Sequence, residues 1–188
     1  MKYPAVLRLA LVTCALVLFA RAADSIPETG FTALFNGRDL TGWQHQDGPP
    51  LDGKTDGGDG RWSVKEGGIL EGNNSKGRVL LWTVKNLPKN FVLRLEFRPV
   101  ARTDSGIFFN KVQLQCGDFS TYAYKGLKAF KQQDWNAMEI TVKDGAALCT
   151  CNGELLEAAL KVPESAQLAL EADRNQIEYR NIRIKELP

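Results

Sequence analysis

Apolar and polar residues alternate with a period of two over much of this chain, the spacing that sends successive side chains to opposite faces of a strand. The clearest case is 91–98, where Phe91, Leu93, Leu95 and Phe97 point one way and Arg94, Glu96 and Arg98 the other. That charged row is expected to pair across strands on a wet face. In 111–116, Val112 and Leu114 alternate with Gln113 and Gln115, so a strand turns the apolar pair inward and presents both amides on its other face. Further strands are predicted at 61–65, 68–71, 79–83, 135–143, 146–151, 154–157, 167–171 and 176–185. They are separated by turn signals such as Asn36-Gly37, Asp144-Gly145, Asn152-Gly153 and Asp173-Arg174-Asn175. No long stretch has helical periodicity; Leu155 to Leu160, stopped by Pro163, allows at most one helical turn. Many short strands with Gly-rich turns predict an all-β fold, a two-sheet sandwich or jelly roll.

The 188 residues are enough for one domain with a proper core. The first of them read as a leader: Lys2 and Arg8 precede an apolar run from Leu9 to Phe19, followed by Ala20-Arg21-Ala22, a small-x-small cleavage pattern. The run is short for a bilayer, which takes about 20 apolar residues. The expected organisation is a signal peptide over 1–22, a polar tail over 23–30 and one domain over 31–188, with a secreted or periplasmic mature chain. Removing 1–22 deletes three bases and no acid, so 24 − 3 = 21 bases face 22 acids and the apparent net charge of +2 becomes −1. No basic cluster predicts nucleic acid, nor, after signal removal, a membrane as partner.

Cys116, Cys149 and Cys151 remain in the mature chain, and an oxidising compartment makes one disulfide plausible. Cys149 and Cys151 would share one face of a strand, so any bridge is expected to involve Cys116. The single histidine, His45, excludes a His-rich metal site and is expected to be packed or solvated. The stretch 46–60, rich in Gly and Pro, carries Asp47, Asp52, Asp56 and Asp59. It reads as a surface loop; a divalent cation such as calcium is the sharper alternative, although the spacing matches no calcium-loop pattern. There is no nucleophile elbow, phosphate loop or dinucleotide fingerprint.

The segment Leu34-Phe35-Asn36-Gly37-Arg38-Asp39-Leu40 with Gly42-Trp43 resembles the opening signature of the 3-keto-disaccharide hydrolase domain family. The resemblance continues, in order, at Trp62-Ser63-Val64, Gly68-Ile69-Leu70, Phe91 to Arg98, Ser105-Gly106-Ile107-Phe108, Trp135-Asn136, Asn152-Gly153 and Tyr179 to Ile184, and so covers nearly the whole mature chain. It implies a concanavalin-like two-sheet antiparallel β-sandwich with its ligand, a carbohydrate or keto-sugar glycoside, on a concave face.

It also implies a reaction. A ketone at C3 acidifies the C2 proton; a base removes it, the enolate expels the C1 substituent, and water adds back. On position, Asp104 is the acid nearest the amide face and the first choice for base, though Asp104-Ser105-Gly106 is also ordinary turn chemistry. Lys125, following Tyr122 and Tyr124 in a loop, is the candidate to hold the enolate oxygen, with Arg78 or Lys111 as substitutes. Gln113 and Gln115 are expected to bind hydroxyls and Tyr124 to supply aromatic surface. Relatives carry an insert and a Glu-x-Gln motif after Gly-Ile-Phe, whereas this chain passes from Asn110 to Lys111-Val112-Gln113, keeping the Gln and not the acid. Either Asp104 takes over, or the domain is a non-catalytic carbohydrate-binding module; an envelope scaffold is a third reading. No cofactor is assigned, and the sugar and oligomeric state are not set by the sequence.

Overall fold

The computed structural model describes residues 28–73 and 77–188; the expected leader, and all but the end of the tail, lie outside them. The described residues contain strands and turns and no helix. The strands are β1 (Thr32–Ala33), β2 (Trp43–His45), β3 (Trp62–Lys65), β4 (Ile69–Gly72), β5 (Val79–Thr83), β6 (Phe91–Pro99) and β7 (Gly106–Phe109). They continue with β8 (Val112–Gln115), β9 (Asn136–Lys143), β10 (Ala146–Cys151), β11 (Glu154–Lys161), β12 (Leu168–Ala172) and β13 (Ile177–Glu186). They form two antiparallel sheets. The larger runs β11-β10-β9-β6-β13-β4-β3 with β1 also on β13; the smaller runs β2-β5-β12-β7-β8. This is the all-β two-sheet sandwich that the alternation predicts.

The core fills the space between the sheets. Phe91, Leu93, Leu95 and Phe97 of β6 are buried in it with Tyr179 of β13 and Met138 and Ile140 of β9, facing Trp43, Leu81, Ile107, Phe109, Leu114, Leu168 and Leu170 of the smaller sheet. The alternate residues of β6 stay on the wet face in cross-strand ion pairs: Arg94 with Glu139 at 2.7 Å, Arg98 with Glu178 at 2.5 Å and Glu96 with Arg180 at 2.7 Å. The opening turn packs as its sequence predicts. Asn36 Oδ1 accepts the Arg38 and Asp39 amides at 2.8 and 3.0 Å, and Trp43, fully buried, donates its indole N–H to the Leu34 carbonyl at 2.9 Å.

Two expectations are corrected. Residues 155–160 form no helical turn but lie within β11, which runs eight residues along the edge of the larger sheet. Its pairing with β10 slips on both sides of Cys149, and the bulges break the period of two that marks the other strands. Cys116, Cys149 and Cys151 form no bridge: all three are free and buried.

Candidate functional site

In the smaller sheet every second side chain enters the core, so the intervening ones form the outer face. Register fixes two rows across it. The first reads Gln44, Trp82, Ala169, Phe108, Gln113; the second is made of two pairs, Leu80 with Glu171 and Gly106 with Gln115. Glu171 is only 3% exposed. The Arg78 guanidinium, donating through Nε, holds its Oε1, and Gln113 Nε2 donates to Oε2 at 3.2 Å and to Gln115 Oε1 at 3.4 Å. Gln115 Nε2 in turn donates to Asp104 Oδ1. Gly106 makes the arrangement possible: a Cβ there would meet Gln113 Nε2 at 2.6 Å and the Phe108 ring at 2.8 Å, so the amide reaches Glu171 by lying across a bare backbone.

Burial raises the proton affinity of Glu171 above that of an ordinary carboxyl; the Arg78 hydrogen bond and charge oppose this, while Asp173 and Asp104 add to it. Arg78 keeps half its side chain in solvent, with the guanidinium 5.1 Å from the Phe108 ring centroid. Beyond Asp104, Arg174 donates to the Tyr122 hydroxyl at 2.6 Å and lies over that ring. The result is an acid with enhanced basicity, a cation beside it, and donor amides around both.

Next to this cluster opens a cleft of about 470 Å³, floored by Leu80, Trp82 and Phe108 and rimmed by Gln44, Lys111 and Gln167, with Arg78 common to cleft and cluster. That volume accommodates a sugar-sized ligand. The Trp82 indole N–H is buried there without a hydrogen-bond partner. The Gln167 amide donates to the Thr83 carbonyl at 2.9 Å and is spent on the fold.

Of the residues expected from sequence, the structure brings Asp104, Gln113, Gln115 and Arg78 into one network. Lys111, exposed at the β7–β8 turn, lines the cleft but not the network. Tyr124 and Lys125 do not join it. The Tyr124 hydroxyl donates to Glu157 of β11 at 2.7 Å and its ring packs edge-on against Phe119, which ties the loop to the larger sheet, while Lys125 is exposed. His45 Nε2 donates to the Gly57 carbonyl at 2.8 Å and so fastens the acidic loop. Three acids of that loop cap backbone amides: Asp52 that of Gly42, Asp56 that of Gly58 and Asp59 that of Arg61. Among the described residues no group of three or more His, Cys, Asp or Glu side chains is placed to hold a metal. Glu171 is the residue that sequence reasoning missed. Its signal is a lone acid in an otherwise apolar strand, Leu168-Ala169-Leu170-Glu171-Ala172, every residue of which is buried.

The sequence profile of the family described as "3-keto-alpha-glucoside-1,2-lyase-like domain" matches residues 30–185. Among solved structures, the chain is similar to a glycosyl hydrolase candidate from Parabacteroides distasonis ATCC 8503, with 21% identity, a TM-score of 0.65 and coverage of 85% of this chain and 95% of that one. It is also similar to the Bacillus licheniformis beta-glucanase, with 12% identity, a TM-score of 0.57 and coverage of 85% and 100%. The carbohydrate binding module CBM66 from Bacillus subtilis follows, with 10% identity, a TM-score of 0.53 and coverage of 78% and 97%. At these identities the likeness is one of fold. Among curated proteins none matches the chain in sequence.

Proposed function

Since the chain belongs to the 3-keto-alpha-glucoside-1,2-lyase-like domain family, we propose that it cleaves 3-keto-glycosides on the outer face of its smaller sheet, with Glu171 as the base. The observation that carries this reading is a nearly buried carboxyl of raised proton affinity with a guanidinium at its side, on the face that also carries the amides and the cleft. Glu171 takes the C2 proton, and the electron pair of that C–H bond moves into a C2–C3 double bond as the C3 ketone becomes an enolate. Arg78, half in solvent beside Glu171, meets the enolate oxygen with its charge. Collapse of the enolate restores the C3 ketone, forms a C1–C2 double bond and breaks the C1–O bond; the departing oxygen takes its proton from solvent water, and the proton held by Glu171 returns to C2 when water adds across that double bond. This elimination is the lyase half of the reaction; addition of water to C1 completes a hydrolysis. Gln113 and Gln115 hold ring hydroxyls, and the cleft over Trp82 and Phe108 receives the leaving group.

The test is release of the leaving group from a 3-keto-glucoside and from its unoxidised parent, with products followed by NMR. Only the keto substrate reacts, because the C2 proton of the parent is not acidic. Glu171→Gln is expected to cut turnover by about 10²–10⁴-fold, and Arg78→Gln by about 10²–10³-fold through loss of enolate stabilisation. A chelator leaves the rate unchanged if Arg78 supplies the charge. Asp104→Asn compares the two carboxylates: if it is inactive while Glu171→Gln is active, Asp104 is the base.

A carbohydrate-binding module is the second reading, favoured by the amides that already hydrogen-bond both carboxylates. Sugar binding by a wild type that turns over no keto substrate decides for it. The leader pattern at 1–22 supports action outside the cytoplasm. N-terminal sequencing of exported protein is expected to begin at Ala23, and an intact Met1 rules this out.

A further inference from the structure

β12 and β7 pair in strict register from Leu168 opposite Phe109 to Leu170 opposite Ile107. Pairing resumes at Arg174 and Asp104, whose amides and carbonyls exchange two hydrogen bonds of 3.0 Å. Between these points Glu171, Ala172 and Asp173 face only Ser105 and Gly106, three residues against two. Glu171 therefore stands at a β-bulge, the irregularity that re-aims a side chain and interrupts the ladder. Its backbone carbonyl is met by side chains instead. The Ser105 hydroxyl donates to it at 2.5 Å, and the Tyr179 hydroxyl, projecting through the core from β13, lies 2.9 Å from Ser105 Oγ and 3.4 Å from the same carbonyl. Both residues are fully buried, and the Tyr179 ring is anchored by stacking on Trp62. The Ser105 carbonyl accepts the Cys116 amide at 3.0 Å, and the next residue back is Asp104.

We propose that Ser105 and Tyr179 are positioning residues, whose hydroxyls replace the interrupted ladder at the bulge, fix the angle at which Glu171 leaves the sheet and hold Asp104 in register beside it. A serine alone would close the ladder. The tyrosine adds a strut from the opposite sheet, so that the two sheets cannot slide without moving the carboxyl. This rests on the reading of Glu171 as the base, but its measurement does not.

The groups facing Glu171 are Arg78 before β5, Asp104 before β7, Asp173 at the end of its own strand, and Tyr179 and Cys116 from the core. Burial raises the proton affinity of Glu171 and Arg78 lowers it, so a slackened bulge moves the titration of Glu171 downward where water enters and upward where the Arg78 contact opens. The experiment uses the mature chain labelled with carboxyl-¹³C glutamate. Glu171 is assigned through Glu171→Gln and titrated in wild type, Ser105→Ala and Tyr179→Phe, with kcat and KM measured on a 3-keto-glucoside.

The expected result is a displaced Glu171 titration in both variants, in either direction, with kcat down about tenfold or more and KM within about threefold of wild type. An unchanged Glu171 titration in the variants, whatever happens to Tm, overturns the proposal and leaves the hydroxyls as fold elements. Tyr179→Phe retains the ring against Trp62 and decides the matter if Ser105→Ala does not fold; failure of both to fold overturns the proposal as well. If wild type turns over no keto substrate, the proposed reaction fails while the carbon titration still decides the positioning.

Discussion

Glu171 is held where folding disfavours its charge. Its folded pKa lies above the unfolded value, so between the two the native state binds more protons than the unfolded one, and stability falls as pH rises through that window. Above it the full cost of burying the carboxylate is present. Glu171→Gln is therefore expected to raise Tm at neutral pH, with the gain shrinking as the solution is acidified toward the ordinary carboxyl range; equal Tm values across that range would contradict the burial account. Gly106 gives the opposite sign. Gly106→Ala places a methyl group against the Gln113 amide and the Phe108 ring, so it is expected to cost about 1–3 kcal/mol in denaturant melts and to weaken sugar binding as Gln113 is displaced.

At the level of strands, β6 shows what alternation conveys. Phe97→Ala, at a fully buried position where the ring meets Phe119 at 5.7 Å, is expected to cost about 3–5 kcal/mol, and Arg94→Ala, on the wet face, under about 1. Similar costs in urea melts would mean that the faces are reversed. The inward and outward residues of β6, and the shared face of Gln113 and Gln115, follow from a period of two because one face is wet. β12 is covered on both faces, so Glu171 had no alternating neighbours to mark it, and register with β5 and β7 was needed to place it. β11 begins with the strand expected at 154–157 and extends to Lys161; its second half is hidden because Leu155, Leu156, Ala158 and Leu160 fall at helix-compatible spacing and two bulges break the period of two. The bulge at Glu171 was invisible in the same way, since it depends on a partner strand more than sixty residues earlier in the chain.

In the molecule as a whole, the sandwich places its acid, amides and cleft on one sheet and its ion-paired belt on the other. Tyr124, in the loop before β9, is tied to the second through Glu157, which takes it and its neighbour Lys125 away from the network. Cys116, Cys149 and Cys151 all lie inside the sandwich, unbridged, and burial raises their thiol pKa values, to about 12 for Cys149 and Cys151. Thiol-reactive dyes cannot reach these sulfurs while the sheets are closed, so labelling reports global opening without any added probe. A chain starting at Ala23, which lacks Cys14, is expected to take up no dye under native conditions and three equivalents in guanidinium, at a rate that tracks unfolding. Prompt labelling of even one thiol would show that the core breathes locally. With no bridge to form, refolding is expected to proceed equally well with and without reductant once the thiols are covered.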